Sequence, residues 1–202
     1  MSATSESVTV LPANEASCED LQAVLGTRGP SSRCFCQRSK LAHRETFAGT
    51  APEERAERMR AQTRAGEPDA EATSGLVAYL DGEPVGWCAV EPRPAYTGLV
   101  RNSQRVPWLG RDEDRTDAGV WAVTCFVTRA GYRRRGVAHA LARAAVDFAR
   151  DRGAHALEGY PILTTAVISE ELHVGTASMF AAAGFTEVSR PTPRRAVVRI
   201  DF

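Results

Sequence analysis

The stretch that decides the fold is "GVWAVTCFVT" (residues 119–128), followed closely by "GYRRRGVAHA" (residues 131–140). The first part is almost wholly β-branched and aromatic, which predicts a central strand buried on both faces. The second part places three consecutive arginines immediately before the first turn of a predicted helix. A helix N-terminus already carries a partial positive charge, so cations there are unfavourable unless an anion binds with them. The sequence therefore predicts a strand, an anion site and a helix in succession.

The spacing of the glycines shows which of the known phosphate-binding motifs the sequence can contain. Gly131 and Gly136 have the four-residue separation of a P-loop, but Val137 and Ala138 stand where a P-loop requires Lys and Ser or Thr. A G-x-G-x-x-G motif is also missing from the sequence. What remains is Arg133-x-x-Gly136-x-Ala138 directly after a strand. Backbone N–H groups, the helix dipole and arginine side chains can together hold a phosphate at such a turn.

The rest of the chain predicts an α/β fold. Strands and helices alternate after an N-terminal hairpin that turns at Asp81 and Gly82, and Gly86 indicates a bulge or a close backbone approach inside the second hairpin strand. We predict a single domain with a mixed central sheet flanked by helices. The predicted strands are 7–12, 75–80, 83–94, 119–128, 155–162 and 195–202, and the predicted helices are 18–26, 51–66, 137–153 and 175–184. Residues 91–118 are predicted to form a long loop, which either serves as a lid or is disordered.

Composition limits the function. The 202 residues are 43% hydrophobic, enough for one globular core. Lys plus Arg and Asp plus Glu each number 25, and this neutral balance argues against binding to nucleic acid or to an anionic membrane through overall charge. The N-terminus lacks a basic, apolar leader, and no stretch approaches the roughly 20 apolar residues of a membrane span. We expect a cytoplasmic protein with no membrane partner.

The five cysteines are too few and too scattered for a disulfide framework. The "CFC" stretch at 34–36 could supply half of a zinc site, but a second pair of Cys or His at matching spacing is missing from the sequence. We therefore predict reduced structural thiols and no metal. Cys125, inside the central strand, is interpreted as buried packing, because the sequence gives no sign of an activating His.

The motif Arg133-x-x-Gly136-x-Ala138, the strand before it and "MFAAAGF" (residues 179–185) resemble the GCN5-related N-acetyltransferase (GNAT) family. In that family the loop binds the pyrophosphate of acetyl-CoA. The resemblance covers residues 75–202, which it implies are the acetyl-CoA-binding core. Residues 1–74 match only in the order of their elements, as a strand and helices that partly cover the substrate.

The resemblance implies a role for each residue that matches the family pattern. The backbone of Phe126, Val127 and Thr128 would pair with the pantetheine arm of acetyl-CoA. The pyrophosphate would be held by Arg133, Arg134, Arg135, Gly136, Val137 and Ala138. The alternative for Val127 and Thr128 is simple core packing. The alternative for the three arginines is a solvated turn.

Proton transfer is where the chain departs from the family. Many members have a tyrosine that protonates the departing thiolate, but the matching position here is Phe180, which would only contact the coenzyme. Tyr160 and Ser178 are the alternative proton donors, although a thiol with a pKa near 8.5 already leaves readily. Glu158 is the only acid on the central strands near the place where they should separate. It is either the base for the acceptor amine or an ion-pair partner of an arginine.

The acceptor is the least determined part of the prediction. Trp87, Glu91, Tyr96 and Trp121 could hold a small amine through aromatic rings and a carboxylate, or could be core and rim residues. We expect transfer of an acetyl group from acetyl-CoA to a primary amine, on a small molecule in preference to a protein, by direct attack. A non-catalytic acyl-CoA-binding protein is the alternative suggested by Phe180. A third hypothesis, nucleic-acid binding through the arginines, conflicts with the neutral charge. A homodimer is left open.

Overall fold

The computed structural model describes residues 7–101, 107–164 and 166–202. The strands are β1 (Val8–Pro12), β2 (Leu76–Leu80), β3 (Glu83–Pro92), β4 (Val120–Thr128), β5 (Ala156–Gly159), β6 (Thr186–Thr192) and β7 (Arg195–Asp201). The α-helices are α1 (Cys18–Leu25), α2 (Ser31–Cys34), α3 (Pro52–Thr63), α4 (Thr97–Arg101), α5 (Val137–Asp151) and α6 (Ala177–Ala182). The predicted α/β fold is confirmed.

All seven strands form one sheet in the order β1-β2-β3-β4-β5-β7-β6. Strands β1 to β4 pair antiparallel with their neighbours, β4 and β5 are parallel, and β5, β7 and β6 pair antiparallel. The parallel pair requires a crossover, which α5 supplies on one face of the sheet. The sheet is therefore mixed, with its parallel step at the centre.

Helix α5 packs on the first face of the sheet through a strongly amphipathic surface. Val137, Leu141 and Phe148 are among its buried residues. A Cβ atom on Gly86 would lie 2.5 Å from Val137 Cγ1 and 3.0 Å from Leu141 Cδ1, so the missing side chain lets the start of α5 sit directly on β3. Register with β2 also shifts beside Gly86, so this position is both a close approach and the site of a bulge.

The N-terminal elements cover the opposite face of the sheet. Helix α1 begins with a capping box, in which the Ser17 hydroxyl accepts from the Asp20 N–H and the Asp20 carboxylate accepts from the Ser17 N–H. Buried Arg55 on α3 donates to the carbonyl of Arg33 at 2.6 Å and to that of Phe47 at 2.7 Å. Arg55 therefore ties the end of α2 and the irregular segment at Phe47 to α3.

The structure contains a strand that the sequence did not predict, and several predicted elements end earlier than expected. Strand β6 was not predicted, because its residues are mostly exposed and include Pro191, so they lack a buried alternating face. Strand β5 ends at Gly159, short of the predicted residue 162. Helix α3 ends at Thr63, three residues before the expected stop at Gly66, and Arg64 after it has a left-handed conformation.

The predicted loop at 91–118 is partly helical. It contains a 3₁₀ turn (Arg93–Ala95) and α4, while residues 102–106 lie outside the described residues. Within the described residues, no helix is long and apolar enough to cross a membrane. Across the same ranges, no group of three or more His, Cys, Asp or Glu side chains is arranged to hold a metal ion.

Candidate active site

The arginine-rich turn lies between β4 and the first turn of α5. Arg134 and Gly136 have left-handed backbone conformations, with φ of +64° and +78°. Gly136 is the N-cap of α5; among the described residues, no side chain caps the helix, and its first turn contains no acid. Arg133, Arg134, Arg135 and Gly136 are all exposed. The N–H groups of the first turn and three guanidinium groups are therefore presented at one end of α5, as anion binding requires.

The turn is fixed to strand β3. The Arg129 backbone N–H donates to the carbonyl of Val85 at 3.0 Å, and its guanidinium donates to the carbonyl of Pro84 at 2.8 Å. The Tyr132 ring lies 5.2 Å from the Arg129 guanidinium and 5.5 Å from that of Arg135. These contacts hold Arg129 against β3 and place the Tyr132 ring between the guanidinium groups of Arg129 and Arg135.

Strands β4 and β5 separate halfway along β4. Their parallel pairing ends at Val123 and Gly159, beyond which β4 continues to Thr128 while β5 ends. On its other edge β4 stays paired with β3, where the register skips Thr124 and forms a bulge. Among the described residues, no strand pairs with the β5-side edge of β4 after Val123; a 3₁₀ segment (Ser169–Val174) packs nearby.

Phe180 is part of the core beside this open edge. Its ring is fully buried and makes edge-to-face contacts with Phe126, at 5.8 Å between centroids, and with Phe185, at 4.9 Å. A Cβ atom on Gly159 would lie 2.4 Å from the Phe180 ring, and one on Gly175 would lie 2.8 Å from it. The ring therefore fills a space that two glycines leave open, and a hydroxyl would point into apolar surroundings.

The two alternative proton donors have different environments. The buried Tyr160 hydroxyl donates to the Glu158 carboxylate at 3.0 Å. Burial, and then the negative charge of Glu158, raise the pKa of Tyr160 well above its ordinary value, so its proton is held tightly. Ser178 is exposed, and its hydroxyl lies 3.2 Å from that of Thr176 at the start of α6.

Glu158 is the centre of a buried ion-pair cluster. Its carboxylate is fully buried and contacts three guanidinium groups: Arg93 at 3.4 Å, Arg199 at 3.2 Å, and Arg111 through both oxygens. With the Tyr160 hydroxyl, four donors converge on one carboxylate. The structure thus places Glu158 in the ion pair that the sequence left as an alternative to a catalytic base.

The segment after α4 encloses this cluster. Buried Trp108 donates from Nε1 to the carbonyl of Leu99 at 2.7 Å, and the guanidinium groups of Arg93, Arg111 and Arg115 lie 5.1, 5.2 and 4.9 Å from its ring. Cation–π contacts therefore hold the described part of the predicted 91–118 loop together, and the ion pairs of Arg93 and Arg111 with Glu158 attach it to β5.

A second polar cluster lies on the face of β3 and β4 that the N-terminal elements cover. Lys40 forms an ion pair with Glu91, and the Ser74 hydroxyl donates to Glu91 at 2.7 Å. The Lys40 ammonium lies 5.3 Å from the Tyr96 ring. This cluster brings a carboxylate, an ammonium and an aromatic ring together near the bulge at Thr124.

Two buried hydroxyls in this cluster lack good partners. Tyr96 Oη and Thr124 Oγ1 lie near each other, but neither makes a well-formed hydrogen bond within the described residues. Burial raises the pKa of Tyr96 well above its ordinary value, and the nearby Glu91 carboxylate acts in the same direction. Buried hydroxyls are usually satisfied, so this pair is a place where a polar ligand atom would be stabilised.

Comparison with known proteins identifies the family. The acetyltransferase (GNAT) family model matches residues 40–161. The chain belongs to the GNAT acetyltransferase family. The resemblance inferred from the arginine-rich turn is therefore confirmed, and the protein is a member of a family of acyl-transfer enzymes. No curated protein sequence matches the chain.

Solved structures with this GNAT fold are distant in sequence. A GCN5-related N-acetyltransferase from Kribbella flavida has a TM-score of 0.54 and 18% identity, covering 96% of this chain and 98% of that one. A ribosomal-protein-alanine N-acetyltransferase from Brucella melitensis has a TM-score of 0.51 and 16% identity, covering 96% and 99%. An aminoglycoside acetyltransferase in complex with coenzyme A and kanamycin has a TM-score of 0.50 and 17% identity, covering 96% and 95%. At these identities the likeness establishes the fold.

The GNAT fold separates the four predicted acceptor residues. Trp87, Glu91 and Tyr96 lie on the covered face, where Trp87 and Tyr96 are buried in two neighbouring clusters. Trp121 lies on the α5 face and makes an edge-to-face contact with Phe148 at 5.8 Å between centroids. Trp121 thus has the surroundings of a core residue, away from the other three.

Sequence reasoning missed several residues of this GNAT site. Lys40 is the only lysine among the 25 basic residues, and that rarity was a signal that could have directed attention to it. Arg93, Arg111 and Arg199 had no local signal, because each reaches Glu158 from a distant part of the chain.

Proposed function

We propose that this GNAT protein transfers the acetyl group of acetyl-CoA to the primary amine of a small molecule. The observation that carries the proposal is the order of features along β4, from the arginine turn beyond its C-terminal end to the bulge at Thr124. The exposed arginine turn at the start of α5 leads along the open edge of β4 to the bulge at Thr124, where the polar cluster around Glu91 lies. An anionic coenzyme and a polar acceptor could meet at that bulge.

The coenzyme end of the proposal rests on the turn. Arg133, Arg134 and Arg135 neutralise the pyrophosphate, and the backbone N–H groups of Gly136, Val137 and Ala138 donate to its oxygens. A Cβ atom on Gly131 or Gly136 would meet nothing within 4 Å, so there is space for a bulky anion at both glycines. The backbone of Phe126, Val127 and Thr128 pairs with the amide-containing arm as an added strand would.

In acyl transfer by direct attack, the protein stabilises the charge that develops as bonds form and break. The acceptor nitrogen attacks the thioester carbon, a backbone N–H beside the β4 bulge stabilises the oxyanion, and the C–S bond breaks to release thiolate. The unpartnered Thr124 hydroxyl is placed to stabilise the reacting carbonyl or the amine. Phe180 offers no proton and Tyr160 donates its own to Glu158, so we propose that the thiolate leaves without a tyrosine acid, with exposed Ser178 as the remaining side-chain donor.

Glu91 is a better candidate than Glu158 for the base that receives the amine proton. Three adjacent guanidinium groups and the Tyr160 hydroxyl already occupy the oxygens of Glu158, so its carboxylate has no free position for an incoming ammonium. Glu91 faces a single ammonium, from Lys40, and its side chain is 14% exposed, whereas that of Glu158 is wholly buried. In this proposal Glu158 is a positioning residue that holds β5, β7 and the Trp108 segment together.

The covered face favours a small acceptor over a protein. Trp87 and Tyr96 are buried beneath the N-terminal elements, and Lys40 and Ser74 reach Glu91 from that cover. We propose that residues 1–74 partly cover the acceptor, with residues 1–6 outside the described residues. In this assignment the chain is a single domain, in which residues 1–74 partly cover the substrate and residues 75–202 form the acetyl-CoA-binding core.

The experiment is release of free thiol from acetyl-CoA in the presence of an amine panel. The panel contains small mono- and polyamines, amino acids, an aminoglycoside, and peptides that offer either an N-terminal amine or a lysine. Thiol release with a small amine, together with an acetylated product in the mass spectrum, supports the proposal. Turnover with peptides alone would replace it by protein acetylation, and tight acetyl-CoA binding without turnover would replace it by a non-catalytic acyl-CoA-binding function.

A pair of variants tests the assignment of the base. Glu91→Gln should lower kcat most at low pH, where little free amine exists, by the factor of about 10² to 10⁴ that general base catalysis typically contributes. Its matched control, Glu158→Gln, should lower stability and leave the shape of the pH profile of any folded enzyme unchanged. The reverse pattern would restore Glu158 as the base.

A further inference from the structure

Four of the five cysteines converge from distant parts of the chain. Cys34 and Cys36 lie at the end of α2 and just after it, while Cys88 and Cys125 lie on β3 and β4. Cys36 packs against the buried cluster that contains Cys125 and Trp87, and the Cys125 thiol is its neighbour there. The Trp87 indole N–H also donates to Cys36 Sγ at 3.2 Å. Cys36 of the "CFC" stretch and Cys125 of the central strand are therefore a pair of neighbouring thiols.

The backbone around Cys36 is held in an unusual conformation. Phe35 and Cys36 are consecutive residues with positive φ, at +46° and +53°. Side chains other than glycine rarely adopt this region, and never cheaply at two positions in a row. The surrounding contacts must therefore hold the turn in this unfavourable conformation. In it, the Cys36 side chain reaches β3 and β4.

The two thiols differ in acidity. The Cys125 thiol lowers the pKa of Cys36, helped by the Trp87 N–H and the nearby Lys40 ammonium and opposed by burial. The Cys36 thiol and burial raise the pKa of Cys125 well above its ordinary value. Burial likewise raises the pKa of Cys34 and of Cys88. Cys36 is therefore the group that ionises first, and only a thiolate reacts as a nucleophile.

We infer that Cys36 and Cys125 form a peroxide-oxidisable dithiol that closes to a disulfide between the N-terminal cover and strand β4. The Cys36 thiolate attacks one oxygen of hydrogen peroxide; the O–O bond breaks, hydroxide leaves, and Cys36 becomes a sulfenic acid. Cys125 sulfur then attacks the Cys36 sulfur, the S–O bond breaks, and water leaves. Two thiols are oxidised, one peroxide is reduced, and two waters form in total.

The position of the disulfide gives it a consequence that rests on the proposed function. Cys125 directly follows Thr124, the bulge residue at the proposed meeting point of acetyl group and amine. A covalent link there would tie residues 34–40, which include Lys40, to the reacting strand. We expect oxidised protein to lose acetyl transfer and dithiothreitol to restore it.

Peptide mapping of the folded, full-length protein tests the thiol chemistry without any activity measurement. The protein is treated with hydrogen peroxide, quenched, alkylated under denaturing conditions and digested with trypsin. Cleavage after arginine leaves Cys34 and Cys36 in "CFCQR" (34–38) and Cys125 in "TDAGVWAVTCFVTR" (116–129). The expected result is a linked pair of these peptides that is 2 Da lighter than the sum of their masses with Cys34 alkylated, with fragmentation placing the link on Cys36.

Variants and controls separate the possible outcomes. Cys34→Ser and Cys18→Ser should still give the linked peptides, whereas Cys36→Ser should abolish them. A Cys34–Cys36 link within one peptide, or no loss of thiols in the wild type, would overturn the inference, and the wild-type measurement does so even if a variant fails to fold. If reduced protein transfers no acetyl group to any amine, the proposed function fails while the linked peptide still decides the dithiol. If transfer continues unchanged after complete linking, the expected loss of activity is wrong.

Discussion

Replacing Glu158 with glutamine should destabilise the protein strongly. The change leaves the shape almost intact but removes the negative charge that Arg93, Arg111 and Arg199 share. The remaining partners are too exposed to replace it, since the Glu113 side chain is 33% exposed and that of Asp201 is 70% exposed. Breaking a buried ion pair by removing one partner typically costs about 3 to 5 kcal/mol, because the other charges stay buried and uncompensated.

Urea unfolding followed by tryptophan fluorescence measures this loss. With an m-value of about 2 to 3 kcal/mol/M, a loss of about 3 to 5 kcal/mol moves the midpoint down by about 1 to 2.5 M. Glu113→Gln is the matched control, because Glu113 pairs with the same three arginines from a partly exposed position. Such a pair contributes about 0 to 1 kcal/mol, so the control midpoint should move little.

Equal and small shifts for the two variants would refute this account of Glu158. A loss below about 1 kcal/mol would mean that the three guanidinium groups do not depend on its charge. A fully stable Glu158→Gln enzyme with a kcat reduced mainly at low pH would show that the carboxylate is a catalytic base.

Three further perturbations follow from individual contacts. Gly86→Ala should displace the start of α5, because the new Cβ would lie 2.5 Å from Val137 Cγ1, and it should lower the free energy of unfolding by about 1 to 3 kcal/mol. Its control is Gly131→Ala, which has open space around the new Cβ and should change the free energy of unfolding by less than about 0.5 kcal/mol. Phe180→Tyr should lower the free energy of unfolding by about 1 to 3 kcal/mol, because the hydroxyl is buried beside Gly159 without a partner, and an unchanged melting temperature would contradict this. The hydrogen bond from Arg58 lowers the pKa of Glu45 to about 2 from its ordinary 4.5, so Glu45 stabilises the folded state above pH 4.5 and this contribution is lost as the pH falls towards 2. The difference in unfolding free energy between wild type and Glu45→Gln should shrink over that window, and a constant difference would exclude the ion pair as its source.

The central part of the fold was predictable because its signals are local. The unbroken apolar run of β4, the helical spacing from Val137 to Phe148 and the turn at Asp81 and Gly82 each lie within a few residues. Strand β6 was not predictable, since its stability comes from pairing with β7 rather than from a buried face of its own.

The candidate site likewise has one part that was predictable from the sequence and one part that was not. The arginine turn was predictable from the sequence, because its positive charges lie within a few residues of the positive end of a predicted helix dipole. The cluster around Glu158 does not, because its arginines come from three separate segments brought together only by the sheet and the Trp108 contact. The position of Trp121 depends on strand alternation: Ala122 pairs with Glu158, so the neighbouring Trp121 faces α5.

Calorimetric titration with acetyl-CoA tests the central claim most directly. The proteins compared are the wild type, Arg133→Ala/Arg135→Ala, and Arg143→Ala, a control with an exposed arginine on the same helix α5 beyond the turn. Each charged hydrogen bond to phosphate contributes about 1.5 to 3 kcal/mol, and Arg134 and the N–H groups of the first turn remain to compensate in part, so we expect the double variant to lose about 2 to 4 kcal/mol, or roughly 30-fold to 1,000-fold in Kd. The control should bind like the wild type. Equal affinity of all three proteins for acetyl-CoA, or no binding by the wild type, would contradict a coenzyme site at the start of α5.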